Sequence, residues 1–288
     1  YDSKETENPG QAITLGFGPA MFAFGNPANN STSEAVYGQA TYDLTDRLSA
    51  TAGLRYSHEK NTSFLLGAPA RNAATFNNTS PHLGLNFKVD DDVMLYAKAS
   101  EGFRAGGITP NAALPGGALA YAPETAWTYE AGARMEFLDH RLRVNPTVFF
   151  TDWKNIQFNV LIPEPTTVVA ATNNAGDAHI KGFELESQFA ATDRLLLTGS
   201  MSLLDGHYSR VGNLIRFVYP FGFLASFPNP ATGQVLPGST LVLPNLALNT
   251  PLQRAPKTKF SVGARYSYPL AGDSKLVGSL DYSWTAKQ

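Results

Sequence analysis

The chain of 288 residues contains no cysteine. That excludes disulfides, thiolate zinc sites, cysteine-ligated iron–sulfur clusters and a cysteine nucleophile. Charge is scarce as well. Asp, Glu, Lys and Arg make up 16% of the residues, against about 25% in soluble domains. The formal net charge is −2 and the isoelectric point about 6.2. Without a basic footprint, nucleic acid is not an expected partner. No apolar run reaches the length of about 18 residues that a membrane-crossing helix needs. No initiator Met or apolar signal segment precedes Tyr1, and the chain stops in mid-pattern at Gln288, so a piece of a longer protein is expected. Rings, by contrast, are abundant: 18 Phe, 12 Tyr and 3 Trp. Few charges with many rings is the reverse of a disordered composition.

A short acidic turn recurs along the chain. It reads Leu44-Thr45-Asp46-Arg47-Leu48, Val89-Asp90-Asp91-Asp92-Val93, Leu138-Asp139-His140-Arg141-Leu142 and Ala191-Thr192-Asp193-Arg194-Leu195, and returns loosely over 270–276 around Asp273. Asp and Gly suit tight turns because they tolerate left-handed geometry or bond their own backbone. The flanks alternate. Val36, Gly38, Ala40 and Tyr42 share one face while Tyr37, Gln39, Thr41 and Asp43 share the other. Leu83, Leu85 and Phe87 oppose His82, Gly84, Asn86 and Lys88 in the same way, as Trp127, Tyr129, Ala131, Ala133, Met135 and Phe137 oppose Thr128, Glu130, Gly132, Arg134 and Glu136. Period two means strands with one apolar and one polar face.

Ten such strands are expected, at about 35–45, 47–59, 81–90, 92–101, 125–137, 141–158, 179–191, 194–205, 257–270 and 275–286. Many match the length of a tilted bilayer-crossing strand, about 9–11 residues, and exceed the usual five or six of globular strands. The other connections, 60–80, 102–124, 159–178 and 206–256, are long and rich in Pro, Asn and Gly. Short turns at one end and long loops at the other define an all-β, transmembrane, antiparallel up-and-down β-barrel. The competing soluble sandwich would turn every 8–12 residues at both ends.

An aromatic precedes each short turn on the apolar face: Tyr42, Phe87, Phe137, Phe189 and Tyr268. Trp127, Trp153 and Trp284 lie toward the long-loop ends. Two aromatic girdles at the membrane–water interfaces account for both sets, with Trp153 read first as a girdle anchor. The polar face, carrying Arg55, Lys88, Lys98, Glu130, Arg134, Arg143, Glu184 and Glu186, is the lumen, where many of these charges should pair. Pro146 falls on the lipid face of its strand, where a bulge or a lost ladder bond is required.

Chemistry finds little support. His58, His82, His140, His179 and His207 have no metal-ligand spacing, so no metal and no cofactor is expected. Gly102-Phe103-Arg104-Ala105-Gly106-Gly107 lacks the Gly-Lys-Ser/Thr ending of a phosphate loop. No nucleophile elbow occurs, and the lumen carboxylates read as paired or solvated groups, so no enzyme is expected. Binding is better supported, because long loops on a rigid scaffold carry recognition. The candidate ligand residues are Phe103, Arg104, Tyr121, Trp153 and Gln157, since arginine grips carboxylates or ferric catecholates and rings stack on flat ligands. A loop cluster of Phe217, Tyr219, Phe221, Phe223 and Phe227 reads as loop packing with a share in recognition.

Six stretches in order resemble the barrel of TonB-dependent outer-membrane receptors. They are Tyr37-Gly38-Gln39 to Tyr56; Ser80-Pro81 with Tyr96-Ala97-Lys98-Ala99-Ser100-Glu101-Gly102-Phe103-Arg104-Ala105-Gly106-Gly107; and Pro123-Glu124 with Tyr129-Glu130-Ala131-Gly132. Phe149-Phe150-Thr151-Asp152-Trp153 with Gln157, Asn173-Asn174-Ala175-Gly176 with Gly182-Phe183-Glu184-Leu185-Glu186, and Ala255-Pro256-Lys257 with Gly263-Ala264-Arg265-Tyr266 complete the series. The resemblance implies a partial barrel, about ten of 22 strands, without the plug. Residues 1–33 would be a loop or strand-end segment leading into the barrel segment 34–288. A complete ten-stranded barrel is the rival. The resemblance further implies a bacterial outer-membrane location, lipid around a monomer, and a TonB energy-coupling complex acting through a TonB box and N-terminal plug. It implies active uptake of a scarce bulky nutrient, a ferric siderophore first, with glycan, cobalamin or aromatic compounds as alternatives. A passive porin-like or binding-only barrel, or a barrel enzyme, are the other classes. In that bacterial setting the acceptor sequences at Asn29, Asn30, Asn61, Asn77 and Asn78 carry no glycan by default.

Overall fold

The computed structural model describes residues 15–17, 20–22, 27–65, 71–110, 118–164, 167–211, 216–218, 240–242, 252, 255–272 and 274–287. Two short strands, β1 (Leu15–Phe17) and β2 (Ala20–Phe22), pair with each other. The main sheet follows with β3 (Pro27–Asp43), β4 (Leu48–Leu65), β5 (Arg71–Lys88) and β6 (Val93–Arg104). A small hairpin, β7 (Gly107–Pro110) and β8 (Ala118–Tyr121), intervenes. The main sheet resumes with β9 (Glu124–Phe137), β10 (Leu142–Glu164), β11 (Thr167–Ala190) and β12 (Leu195–Val211). After the small pair β13 (Arg216–Val218) and β14 (Thr240–Val242), it ends with β15 (Thr258–Pro269) and β16 (Lys275–Thr285).

The ten main strands form one antiparallel meander, each hydrogen-bonded to its neighbours in chain order, with β3 and β16 at the two edges. The sheet is open rather than closed on itself, against the ten-stranded complete barrel. The large side chains Val36, Tyr42, Leu54, Leu85, Tyr129, Val148, Leu280 and Tyr282 stand exposed on a single face. A soluble sheet would have to cover such a face.

Three of the short turns share one device. The side-chain oxygen of the second turn residue accepts two backbone N–H groups, those of the fourth turn residue and the next strand's first residue. Thr45 Oγ1 accepts from Arg47 and Leu48 at 3.2 and 2.9 Å. Asp90 Oδ1 accepts from Asp92 and Val93 at 2.9 and 2.8 Å. Thr192 Oγ1 accepts from Arg194 and Leu195 at 3.2 and 3.0 Å. The acceptors therefore sit one residue before the repeated Asp46, Asp91 and Asp193. The fourth turn works differently, with Leu138, Asp139 and His140 all at positive φ. In the last, Gly272 takes φ 69°, which glycine adopts without penalty.

The strands outrun their expected limits at the long-loop end. β4 and β5 stay paired as far as Phe64 and Arg71, and β10 and β11 as far as Glu164 and Thr167. Segments 60–80 and 159–178 are thus mostly extended hairpin, not loop, and Asn61, Asn77 and Asn78 lie in strands. Polar partners hold this extension. Ser31 Oγ donates to Asn61 at 2.7 Å and Ser63 Oγ to Asn29 at 2.6 Å. At Pro146 the β9–β10 register passes from Val144↔Met135 to Thr147↔Gly132 without a shift, while the β11 side continues through Pro146↔Leu185. A locally interrupted ladder is what a strand proline requires.

Candidate functional site

The register places Arg55, Lys88, Lys98, Glu130, Arg134, Glu184 and Glu186 on one face, opposite the apolar set. The charges on β6 and β9 are organised around Tyr96. Its ring lies across Gly132, and its hydroxyl reaches Glu130 at 2.8 Å and Thr147 at 2.9 Å. Lys98 pairs with Glu130 at 2.9 Å, and the Arg134 guanidinium stands 5.8 Å from the Tyr96 ring centre. Phe149 likewise covers Gly182 on the same face. Rings laid over strand glycines restore packing that glycine alone cannot give. Glu184 and Glu186 form no ion pair among the described residues.

On the apolar face, Tyr42, Phe87, Phe137, Phe189 and Tyr268 share the turn-end level, and Trp127 and Trp284 the opposite level. Trp127 stacks on Tyr129 and Trp284 on Phe260. Trp153 departs from the girdle expectation. It pairs with Ala126 and Ala178 on the polar face. There it packs against a buried cluster of Ile156, Ala178, Tyr208 and Leu252.

This cluster stands beside a polar knot at the long-loop end. Glu124, only 7% exposed, pairs in register with Arg104. Its carboxylate accepts from Gln157 N at 2.7 Å and from Arg104 Nη1 at 3.5 Å. Gln157 Nε2 donates to the carbonyls of Ala105 and Ala122 at 2.8 and 3.2 Å. Asn174 adds two donations, to Ala122 O at 2.9 Å and Asn155 O at 2.7 Å, and accepts from Ala122 N at 2.6 Å. Asn61 Nδ2 donates to Gly106 O at 2.6 Å. These bonds fix the β7–β8 hairpin, with Tyr121 at its base, against β4 and the extended β10–β11 hairpin. Of the five predicted ligand residues, four converge here: Arg104, Tyr121, Trp153 and Gln157. Phe103 follows the alternation of Leu95, Ala97 and Ala99 onto the apolar face. The side chain of Gln157 is spent on the scaffold, whereas the Arg104 side chain is 69% exposed. Of the aromatic loop cluster, Tyr219, Phe221, Phe223 and Phe227 lie outside the described residues.

A second clamp was not legible as a site. Asn155 takes φ 53° within a bulge of β10 and donates its N–H to Asp177 Oδ1 at 2.9 Å. Asn is among the few residues that tolerate this geometry. Arg210 grips the same carboxylate through two bonds of 2.7 and 2.9 Å. Burial alone would raise the Asp177 pKa, but the Arg210 hydrogen bonds, the Asn155 N–H and the nearby positive charge outweigh it and hold the carboxyl below its ordinary value. With a depressed folded-state pKa, the clamp is at full strength above the unfolded carboxyl value of about 3.9. It weakens as the pH falls through the lower folded value. Hydrogen exchange at the Asn155 amide should therefore be flat from neutral pH down to about 4, after correction for intrinsic rates, and should accelerate below. D177N should open the same amide at neutral pH by about 1–3 kcal/mol.

Fold and site together define a class: the wall of an outer-membrane-type β-barrel, with an apolar lipid face, a charged lumen face, short turns at one rim and a folded loop apparatus at the other. Comparison gives the family. The whole chain, residues 1–288, matches the model for TonB dependent receptor-like β-barrels. The protein belongs to this family of outer-membrane transport receptors. It is 28% identical over 165 residues to the metal-pseudopaline receptor CntO of Pseudomonas aeruginosa, covering 56% of this chain and 22% of that one. It is 30% identical over 163 residues to the pesticin receptor of Yersinia pestis, covering 54% of this chain and 23% of that one. The crystal structure of the ferric yersiniabactin uptake receptor FyuA from Yersinia pestis superposes with a TM-score of 0.62 at 18% identity, over 90% of this chain and 35% of that one. The chain thus spans less than a quarter of the two sequence relatives' length.

Proposed function

We propose that the protein takes up a metal chelate of the siderophore class across the outer membrane, energised through TonB. The observation that carries this reading is Arg104. Its side chain is 69% exposed at the loop end of the lumen face, with one long contact of 3.5 Å to Glu124. Across β9, level with Gly102 and so one row nearer the short turns, Trp153 offers a ring on that same face. An arginine with spare donors beside an aromatic suits a bulky, anionic, partly flat ligand. The names of its relatives, a metal-pseudopaline receptor and a ferric yersiniabactin uptake receptor, support that class over glycan or cobalamin. In this reading the knot around Glu124, Gln157 and Asn174 sets the position of Arg104, and a plug pulled by TonB opens the path.

The test uses the full-length receptor in an iron-starved host that lacks its own siderophore receptors. Growth should be rescued by one or more of a panel of ferric chelates, and rescue should vanish when TonB is deleted. R104A should weaken chelate binding about tenfold, the worth of one charge-assisted contact. Rescue that persists without TonB would identify a passive pore instead. Binding confined to oligosaccharides would overturn the ligand class.

A further inference from the structure

The apolar face is not uniform. One register row crosses eight strands: Ala40, Ala52, Leu83, Ala99, Tyr129, Phe150, Lys181 and Asp205. The row toward the short turns reads Tyr42, Ala50, Leu85, Ala97, Ala131, Val148, Phe183 and Leu203. Alanines dominate the first part of both rows, and Tyr42, Leu85, Tyr129 and Phe150 stand around them. The result is a groove of about 950 Å³ on β3 to β6, β9 and β10. At about 4.8 Å per strand it is some 24 Å across.

At its β10 end the groove meets charge. Phe150, which lines the groove, touches the ring of His179, with centres 5.5 Å apart. His179 pairs across the sheet with Asp152 on one side and His207 on the other. Lys154 Nζ and His179 Nε2 reach Asp152 Oδ1 at 2.9 and 3.2 Å. Lys181 reaches Asp205 at 3.3 Å, with His207 4.0 Å from the same carboxylate. Lys154 and Lys181 remain 45% and 64% exposed. Trp127, the register partner of Asp152, marks the membrane–water boundary beside the cluster. Strands of a barrel tilt by about 35–45°, so a row perpendicular to them climbs from the hydrocarbon to the headgroups. A single row can therefore begin in alanine and end in lysine.

We propose that this outer face holds an acyl lipid of the membrane whose phosphate leaves the headgroup with a net negative charge. The chains lie in the alanine groove and the phosphate sits against Lys154 and Lys181. Two features call for this occupant. The side chains that line the groove on this face, from Ala40 to Phe150, are apolar, and the cations begin where its last ring, Phe150, ends. Asp152 and Asp205 each hold one of the two ammonium groups before the lipid arrives, at 2.9 and 3.3 Å. The phosphate then takes up donors that each carboxylate leaves free, since an ammonium has three.

The test uses the full-length receptor, delipidated in detergent, and native mass spectrometry with added phosphatidylglycerol or phosphatidylcholine of identical acyl chains. Phosphatidylglycerol should be retained about tenfold better, and a K154Q/K181Q double variant should lose that preference. A99F, which fills the groove, should reduce retention of both lipids. Folding of each variant is checked by heat-modifiable migration, and K88Q on the lumen face should behave as wild type. Inorganic phosphate at millimolar concentration should not displace the lipid. Equal retention by wild type and the double variant would overturn the proposal, and so would displacement by phosphate alone, which would mark a free-anion site.

Discussion

G132A should lower the stability of the folded barrel by about 1–3 kcal/mol, the range expected when a packed position is overfilled. Gly132 sits on the lumen face of β9, where a Cβ would lie 2.6 Å from the Pro146 carbonyl oxygen and 2.8 Å from the Tyr96 ring. Neither can retreat cheaply. The carbonyl belongs to the proline at which the β9–β10 ladder is interrupted. The ring is held by Glu130 and Thr147. Moving it would also disturb Lys98, which shares Glu130. G84A provides the contrast on the same face, because its nearest neighbour would be Thr51 Cβ at 3.6 Å, an ordinary contact. Urea unfolding of the full-length receptor in lipid vesicles should show a clear fall in midpoint for G132A and little change for G84A. Equal midpoints would show that Tyr96 does not lie across Gly132.

The other large effect concerns the opposite face. A97R places a charge in the alanine groove, between Leu85 and Ala131. An arginine near the bilayer midplane costs about 2–4 kcal/mol, whereas one in the lumen is far less costly. N86R, whose register partners are Ser49 and Tyr96, supplies the lumen case. The first variant should insert poorly and lose most of its heat-modifiable folded band; the second should keep it. The difference rests on side-chain direction, since residues 86 and 97 lie within one residue of the same level on neighbouring strands.

These contrasts were open to sequence reading because alternation survives wherever lipid and lumen differ. Leu83, Leu85 and Phe87 against His82, Asn86 and Lys88 assign both faces without coordinates. The signal fades above the bilayer. There both faces meet water, and Asn29, Asn61, Asn77 and Asn78 look like loop residues although they sit in paired strands. Trp153 was misplaced for a related reason. Phe149 and Phe150 are adjacent and both apolar, so the strand's parity is ambiguous from hydropathy. Only the pairing of Thr151 with Thr128 turns Trp153 toward the lumen. The knot is harder still. Gln157, Asn174 and Glu124 act through side-chain bonds to main chain 33 to 52 residues away, and such contacts leave no periodic trace. Their only mark in the sequence was membership of stretches that resemble the family, Pro123-Glu124 and Asn173-Asn174 among them.

The barrel places lipid on one face of this sheet and the lumen on the other. A chain without cysteine makes the test direct. Single cysteines at Leu83, Gly84, Leu85, Asn86 and Phe87, in a cysteine-free full-length receptor, would each carry a fluorophore in vesicles containing a lipid-attached quencher. Quenching should be strong at Leu83, Leu85 and Phe87 and weak at Gly84 and Asn86. A uniform or inverted pattern would contradict the barrel orientation and everything built upon it.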